Sequence, residues 1–124
     1  MKQFDAETLR HLREAREVSI RTDKHPNSPV VIWVVVAGDD VFVRSVSGAR
    51  GRWYRDLETG GPATLEFGSH RLLVHAIPEP GASAVERASG EYLRKYHTSP
   101  YAQAMVKTEV LPTTLRLEPR SQTP

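Results

Sequence analysis

Residues 44–55 hold four arginines (Arg44, Arg50, Arg52 and Arg55), two serines (Ser45 and Ser47) and two glycines (Gly48 and Gly51), with no acid among them. That mixture suits an anion. Arginine presents a rigid fork of donors to phosphate or carboxylate, and glycine lets backbone N–H groups approach the same ligand closely. The nearest acids, Asp39, Asp40, Asp56 and Glu58, lie outside the segment, while Trp53 and Tyr54 inside it offer aromatic faces. The plainer alternative is a solvated loop whose arginines serve only solubility. Against it stand the structured flanks and the Trp53-Tyr54 pair, which an inert loop has little reason to expose.

Hydrophobic spacing supplies those flanks. Asp5 reads as the N-cap of a helix running to about Ala15, with Phe4 placed to staple against Leu9 and with Leu12 completing the buried stripe. Val18 and Ile20 then alternate with polar residues as a first strand. Residues 22–29, which include Pro26 and Pro29, read as a turn or loop. The β-branched run Val30–Val36 is apolar on both faces and predicts a central strand covered on each side. Gly38 and Asp39 turn it into a hairpin partner, Val41–Val46, with Phe42, Arg44 and Val46 on one face and Val41, Val43 and Ser45 on the other.

The anion segment therefore begins on a strand. A short helix over 52–57, ended by Gly60 and Gly61, sets Gly51 and Arg52 near a helix N-terminus. Strands over 63–67 and 71–77 follow, the second stopped by Pro78-Glu79-Pro80-Gly81. Val85, Ala88, Tyr92 and Tyr96 recur at helical spacing, a second helical piece spans 101–107, and a last strand covers 113–117. Six short antiparallel strands with a few helices predict a small barrel of α+β type, mainly β, and no parallel doubly wound sheet.

Length and composition narrow the classes. A chain of 124 residues, 39% hydrophobic and 26% charged, predicts a single domain over 1–124, with an ordered core at 5–118 and a polar tail at 119–124. The longest apolar run, Val30–Ala37, is too short to span a bilayer as a helix, so no membrane partner is expected. With no cysteine and no apolar signal region, the expected location is cytoplasmic. A net charge of +2, with its arginines gathered in one short segment, favours a small anion over nucleic acid.

Other chemistry lacks its usual anchors. The five histidines show no metal-ligand spacing, so no metal is expected. There is no Gly-x-Ser-x-Gly elbow, no Walker phosphate loop and no Gly-x-Gly-x-x-Gly after a strand. Tyr92, Tyr96 and Tyr101 are candidates to donate a proton or stack on a ring, although helical spacing suits Tyr92 and Tyr96 to core or dimer contacts. Lys24 and His25 lie where a loop would close over a ligand, but the ordinary exposed turn is the better reading of them.

The run from Val30 to Ser45 and the Gly-Arg-Trp-Tyr-Arg stretch at 51–55 resemble the flavin and deazaflavin split β-barrel superfamily, the pyridoxamine 5'-phosphate oxidase-like group. Within it the chain resembles the deazaflavin-dependent nitroreductase branch and an uncharacterised domain-of-unknown-function family. The resemblance implies a six-stranded antiparallel split β-barrel with peripheral helices, paired as a homodimer with the cofactor site at the interface. It implies phosphate contacts from Arg44, Ser45, Ser47, Arg50, Arg52 and Arg55, with Trp53 and Tyr54 lining the same groove. Ile32, Trp33 and Val34 would run beside the ring of a deazaflavin coenzyme or FMN. Where the nitroreductase branch carries a Gly-Arg-Lys-Thr-Gly-like run between its first two strands, this chain has Asp23-Lys24-His25-Pro26-Asn27.

Two functions follow as expectations. The first is a reductase that transfers hydride from FMN or deazaflavin to a small organic acceptor, the cofactor carrying the chemistry. The second is a non-enzymatic module holding a cofactor, haem or small anion on the same barrel.

Overall fold

The computed structural model describes residues 3–78 and 81–121. The first helix, α1 (Ala6–Glu14), starts where expected: the Asp5 carboxylate accepts the Thr8 N–H at 2.8 Å. Phe4, Leu9 and Leu12 all enter one core, as a staple and a helical stripe require.

Seven strands follow: β1 (Val18–Thr22), β2 (His25–Ile32), β3 (Val34–Ala37), β4 (Asp40–Val43), β5 (Gly61–Phe67), β6 (His70–Pro78) and β7 (Leu115–Pro119). All pairings are antiparallel, in the order β2-β1-β5-β6-β7-β4-β3. The two edges, β2 and β3, are consecutive in the chain with only Trp33 between them. The sheet is therefore curled into a half-barrel, and a single residue joins its edges.

This corrects the expected count of six. Residues 30–36 are not one central strand, because the first part pairs with β1 and the second with β4, at opposite ends of the sheet. One straight segment cannot serve both ladders, so the strand breaks at Trp33. Burial follows the break: Val31 is 59% exposed, whereas Val34, Val35, Val36 and Ala37 are all buried. In β3 the two apolar faces have separate partners. Val34 and Val36 join Val41, Val43 and Leu115 in the core of the curl, while Val35 and Ala37 join Phe42 beneath α3 (Ala82–Lys95).

Other boundaries shift for identifiable reasons. The expected loop over 22–29 is mostly strand, since β2 starts at His25. Its prolines are accommodated by an irregularity in the β1–β2 ladder between Ile20 and Thr22, where neither Pro26 nor Pro29 has a register partner. The strand expected over 41–46 ends at Val43, which leaves Arg44 and Ser45 just beyond it. Thr113 lies in a 3-10 turn (Leu111–Thr113), so β7 begins only at Leu115. Pro119 and Arg120, expected in the tail, are held: Pro119 pairs with Val74, and Arg120 donates to the carbonyls of Leu73, Val74 and Ala63. Of the expected strand stop, Glu79 and Pro80 lie outside the described residues, as do residues 122–124 of the tail.

Candidate functional site

The site forms where the seam of the sheet meets the segment after β4. A groove of about 470 Å³ is lined by Val30–Trp33 from β2 and its end, by Arg44–Ser47, and by Gly51–Trp53 at the start of α2 (Arg52–Leu57). Tyr101, Ala104 and Met105, from a 3-10 segment (Ala102–Val106) and the residue before it, complete the lining. Seven of the eleven residues expected from sequence meet here: Ile32, Trp33, Arg44, Ser45, Ser47, Arg52 and Trp53.

The other four stand elsewhere. Val34 is fully buried in the core of the curl. Arg50 and Arg55 are exposed and outside the lining. Tyr54 packs half-buried on the core, edge-on to Trp53, and its hydroxyl reaches the Pro112 carbonyl at 3.4 Å.

Period 2 predicted that Phe42 and Arg44 share a face, and both meet the tyrosine cluster of α3. Arg44 is 1% exposed, and its guanidinium lies 5.4 Å from the centroid of the Tyr92 ring. Nε donates to Thr114 Oγ1 at 2.8 Å, Nη1 to Ser89 Oγ at 2.9 Å and to the Met105 carbonyl at 3.0 Å, and Nη2 to the Val85 carbonyl at 2.7 Å. All four acceptors are neutral. Burial pushes the guanidinium below its ordinary value, with Tyr92 opposing. A cation in low dielectric with no carboxylate among these acceptors leaves a positive field in the groove that Arg44 lines.

Ser45 is also 1% exposed, and its N–H donates to Thr113 Oγ1 at 3.0 Å. Its own hydroxyl packs against Gly51, where any Cβ would collide with Ser45 Oγ. Gly51 is thus a close-approach glycine, and it caps α2 without a side-chain hydrogen bond. Gly48 adopts φ +65°, which turns the chain between Ser47 and the 3-10 segment Gly48–Arg50.

Arg52 bridges the groove to a polar cluster behind it. Nη2 donates to the Ser28 carbonyl at 2.8 Å and Nη1 to Asp56 Oδ2 at 3.4 Å. The same Oδ2 accepts the Thr22 hydroxyl at 2.7 Å and lies 2.6 Å from His25 Nδ1. Burial pulls the Asp56 carboxyl upward, but the hydrogen bonds from Thr22 and His25 and the charges of His25 and Arg52 outweigh it and hold it below its usual value.

The tyrosines divide. Tyr92 and Tyr96 are fully buried, and their hydroxyls donate to main-chain carbonyls: Tyr92 to Trp33 at 3.1 Å, Tyr96 to Arg16 at 2.8 Å and Val34 at 3.2 Å. Burial raises both, Tyr96 to about 12, so neither is a proton donor to the groove. Tyr101 lines it instead and is 71% exposed. Val31 and Val46, 59% and 60% exposed, flank the same groove. Sequence spacing pointed to neither Met105 nor Ala104, because a 3-10 segment carries no 3.6-residue stripe and sits some sixty residues from its partners in the chain. Among the described residues no three His, Asp or Glu side chains are grouped to hold a metal ion, and no helix is long and apolar enough to cross a membrane.

A curled antiparallel sheet with peripheral helices and an arginine-edged groove at its seam defines a mainly β, barrel-like domain. Residues 8–117 match the profile of DUF2255, uncharacterized proteins conserved in bacteria, and the chain belongs to that family. No curated protein matches it. Among solved structures the chain is similar to the conserved hypothetical protein Rv2991 from Mycobacterium tuberculosis, at a TM-score of 0.62 and 12% identity over 95% of this chain and 81% of that one. At that identity the likeness concerns the fold.

Proposed function

We propose that the groove binds an elongated organic ligand with a flat ring and an anionic tail, with FMN or a deazaflavin coenzyme as the candidate. The observation that carries this reading is the union of an apolar slot, Val30–Trp33 with Trp53 and Met105, and a polar end with no acid in its lining, built from Ser45, Ser47 and Arg52 over the buried charge of Arg44. The donor set suits a phosphate or carboxylate, and the volume lies within the range of small-molecule sites. Arg52 and the two serines would hold the tail, with Ile32, Trp33 and Trp53 beside the ring. Such a cofactor supplies hydride chemistry when bound, and the protein's part is to orient it and exclude water. The exposed apolar rim of Val31, Val46 and Tyr101 supports a homodimer in which a second copy covers the groove's mouth.

One observation favours the second reading, a non-enzymatic carrier or sensor. Among the described residues, none lining the groove is Asp, Glu or His, which leaves the Tyr101 hydroxyl as the exposed phenol of the lining. Absorbance of the purified protein, followed by titration with FMN and with deazaflavin coenzyme, tests binding, and reduction of a nitroaromatic or quinone acceptor by the loaded protein separates enzyme from carrier. A colourless sample that binds neither compound would sink the flavin reading.

A further inference from the structure

The polar cluster behind the groove is built around one atom. Asp56 Oδ2 accepts from Thr22 of β1, contacts His25 of β2 and pairs with Arg52 of α2, at 2.7, 2.6 and 3.4 Å. The Asp56 side chain is only 9% exposed, while those of Arg52 and His25 are 33% and 43% exposed. Arg52 lines the groove and His25 does not. The two basic groups therefore share one carboxylate oxygen, one of them in the groove lining and the other outside it.

We infer that Asp56 competes with a bound anion for Nη1 of Arg52 and that protonation of His25 releases that donor toward the anion, so the groove holds anions more tightly as pH falls. This rests on reading the groove as an anion site. With a neutral imidazole, the charges of Asp56 and Arg52 cancel, and Arg52 is held back on its own carboxylate. With an imidazolium, Asp56 is satisfied by His25 and Thr22, the cluster carries a net positive charge, and Nη1 of Arg52 is released to the ligand while Nη2 stays on the Ser28 carbonyl. The remaining charged groups nearby are otherwise engaged or exposed: Arg21 holds Glu66 of β5 and the Pro26 carbonyl, and Asp23 and Lys24 lie exposed in the β1–β2 turn. Coupling of this kind is reciprocal, so a bound anion must also favour the imidazolium.

The test has two arms. In the first, FMN affinity is measured from pH 5.5 to 8.5 for the wild type and for His25→Gln, whose comparison removes the titration of the FMN phosphate itself. The wild type should lose roughly three- to tenfold more affinity than the variant across that range. Equal slopes with binding intact would overturn the inference and leave the groove reading standing, whereas no binding at any pH would strike the groove reading. The second arm needs no ligand: the His25 titration is followed by NMR in the wild type, Arg52→Gln and Asp56→Asn. Removing the Arg52 cation should raise the midpoint and removing the Asp56 anion should lower it; a midpoint unmoved by Arg52→Gln would overturn the proposed coupling whatever the first arm shows.

Discussion

The indole of Trp33 lies flat on the phenol ring of Tyr96, with centroids 3.9 Å apart and planes inclined by 3°. Trp33 is the one residue between β2 and β3, and its carbonyl also accepts the Tyr92 hydroxyl. Helix α3 thus grips the bend by both ring and backbone. Trp33→Ala should cost about 2–4 kcal/mol in urea unfolding, and Trp33→Phe, which keeps a stacked ring, should recover a good part of it. An alanine variant as stable as the wild type would mean that the strands hold the bend without α3.

Gly51 and Ser45 make a second pair open to experiment. Gly51→Ala places a methyl on the Ser45 hydroxyl and should destabilise by about 1–3 kcal/mol. Ser45→Ala removes that hydroxyl, so the double variant should recover most of the loss. A double-mutant cycle by chemical denaturation gives the coupling, and strict additivity would exclude the contact.

Among the described residues Arg44 bonds to neutral groups, which sets a particular expectation. Arg44→Met removes a buried cation without stranding a buried anion, but it takes the Arg44 donor from the Met105 carbonyl and a second donor from the Val85 carbonyl, which α3 already engages. The net cost should be about 3 kcal/mol in denaturant, and Arg44→Lys, unable to span the same acceptors, should restore less than half. Full restoration by lysine would show that charge matters here and geometry does not.

Ligand affinity should separate the arginines. Arg52→Ala should weaken FMN or deazaflavin binding by tenfold or more, while Arg50→Ala and Arg55→Ala, outside the groove, should change it less than twofold. Equal losses at all three, measured by fluorescence titration, would point to a diffuse field in place of a built contact.

Asp56 predicts an acid-side effect on stability. Its carboxyl is held below the ordinary value in the fold, so its contribution is present in full above the unfolded-state value near 3.8 and disappears as pH falls through the lower folded value. Asp56→Asn should therefore be less stable than the wild type at neutral pH and converge with it in the acid limb. A constant gap down to pH 2 would show that the loss is one of packing.

Local signals in the chain were legible. Asp5 as a cap, the alternation of Val41, Phe42, Val43 and Arg44, and the short helix over 52–57 were each written in neighbouring residues, and together they brought most of the groove's lining into view. What escaped depends on partners distant in sequence. Nothing near Trp33 distinguishes a bend from a continuous apolar strand, because the break arises from pairing with β1 on one side and β4 on the other. The Asp56–His25 contact joins residues 31 apart, and the prolines around it concealed a strand that tolerates them at an irregular edge.

Joining both edges of the sheet through one residue couples their alignments. A slip of β2 against β1 by one residue would drag β3 along β4 by the same amount and turn Val34 and Val36 out of the core of the curl. The two outermost ladders therefore proofread one another. Misalignment at either end is rejected by the packing at the other, and the groove between them inherits a single, fixed shape.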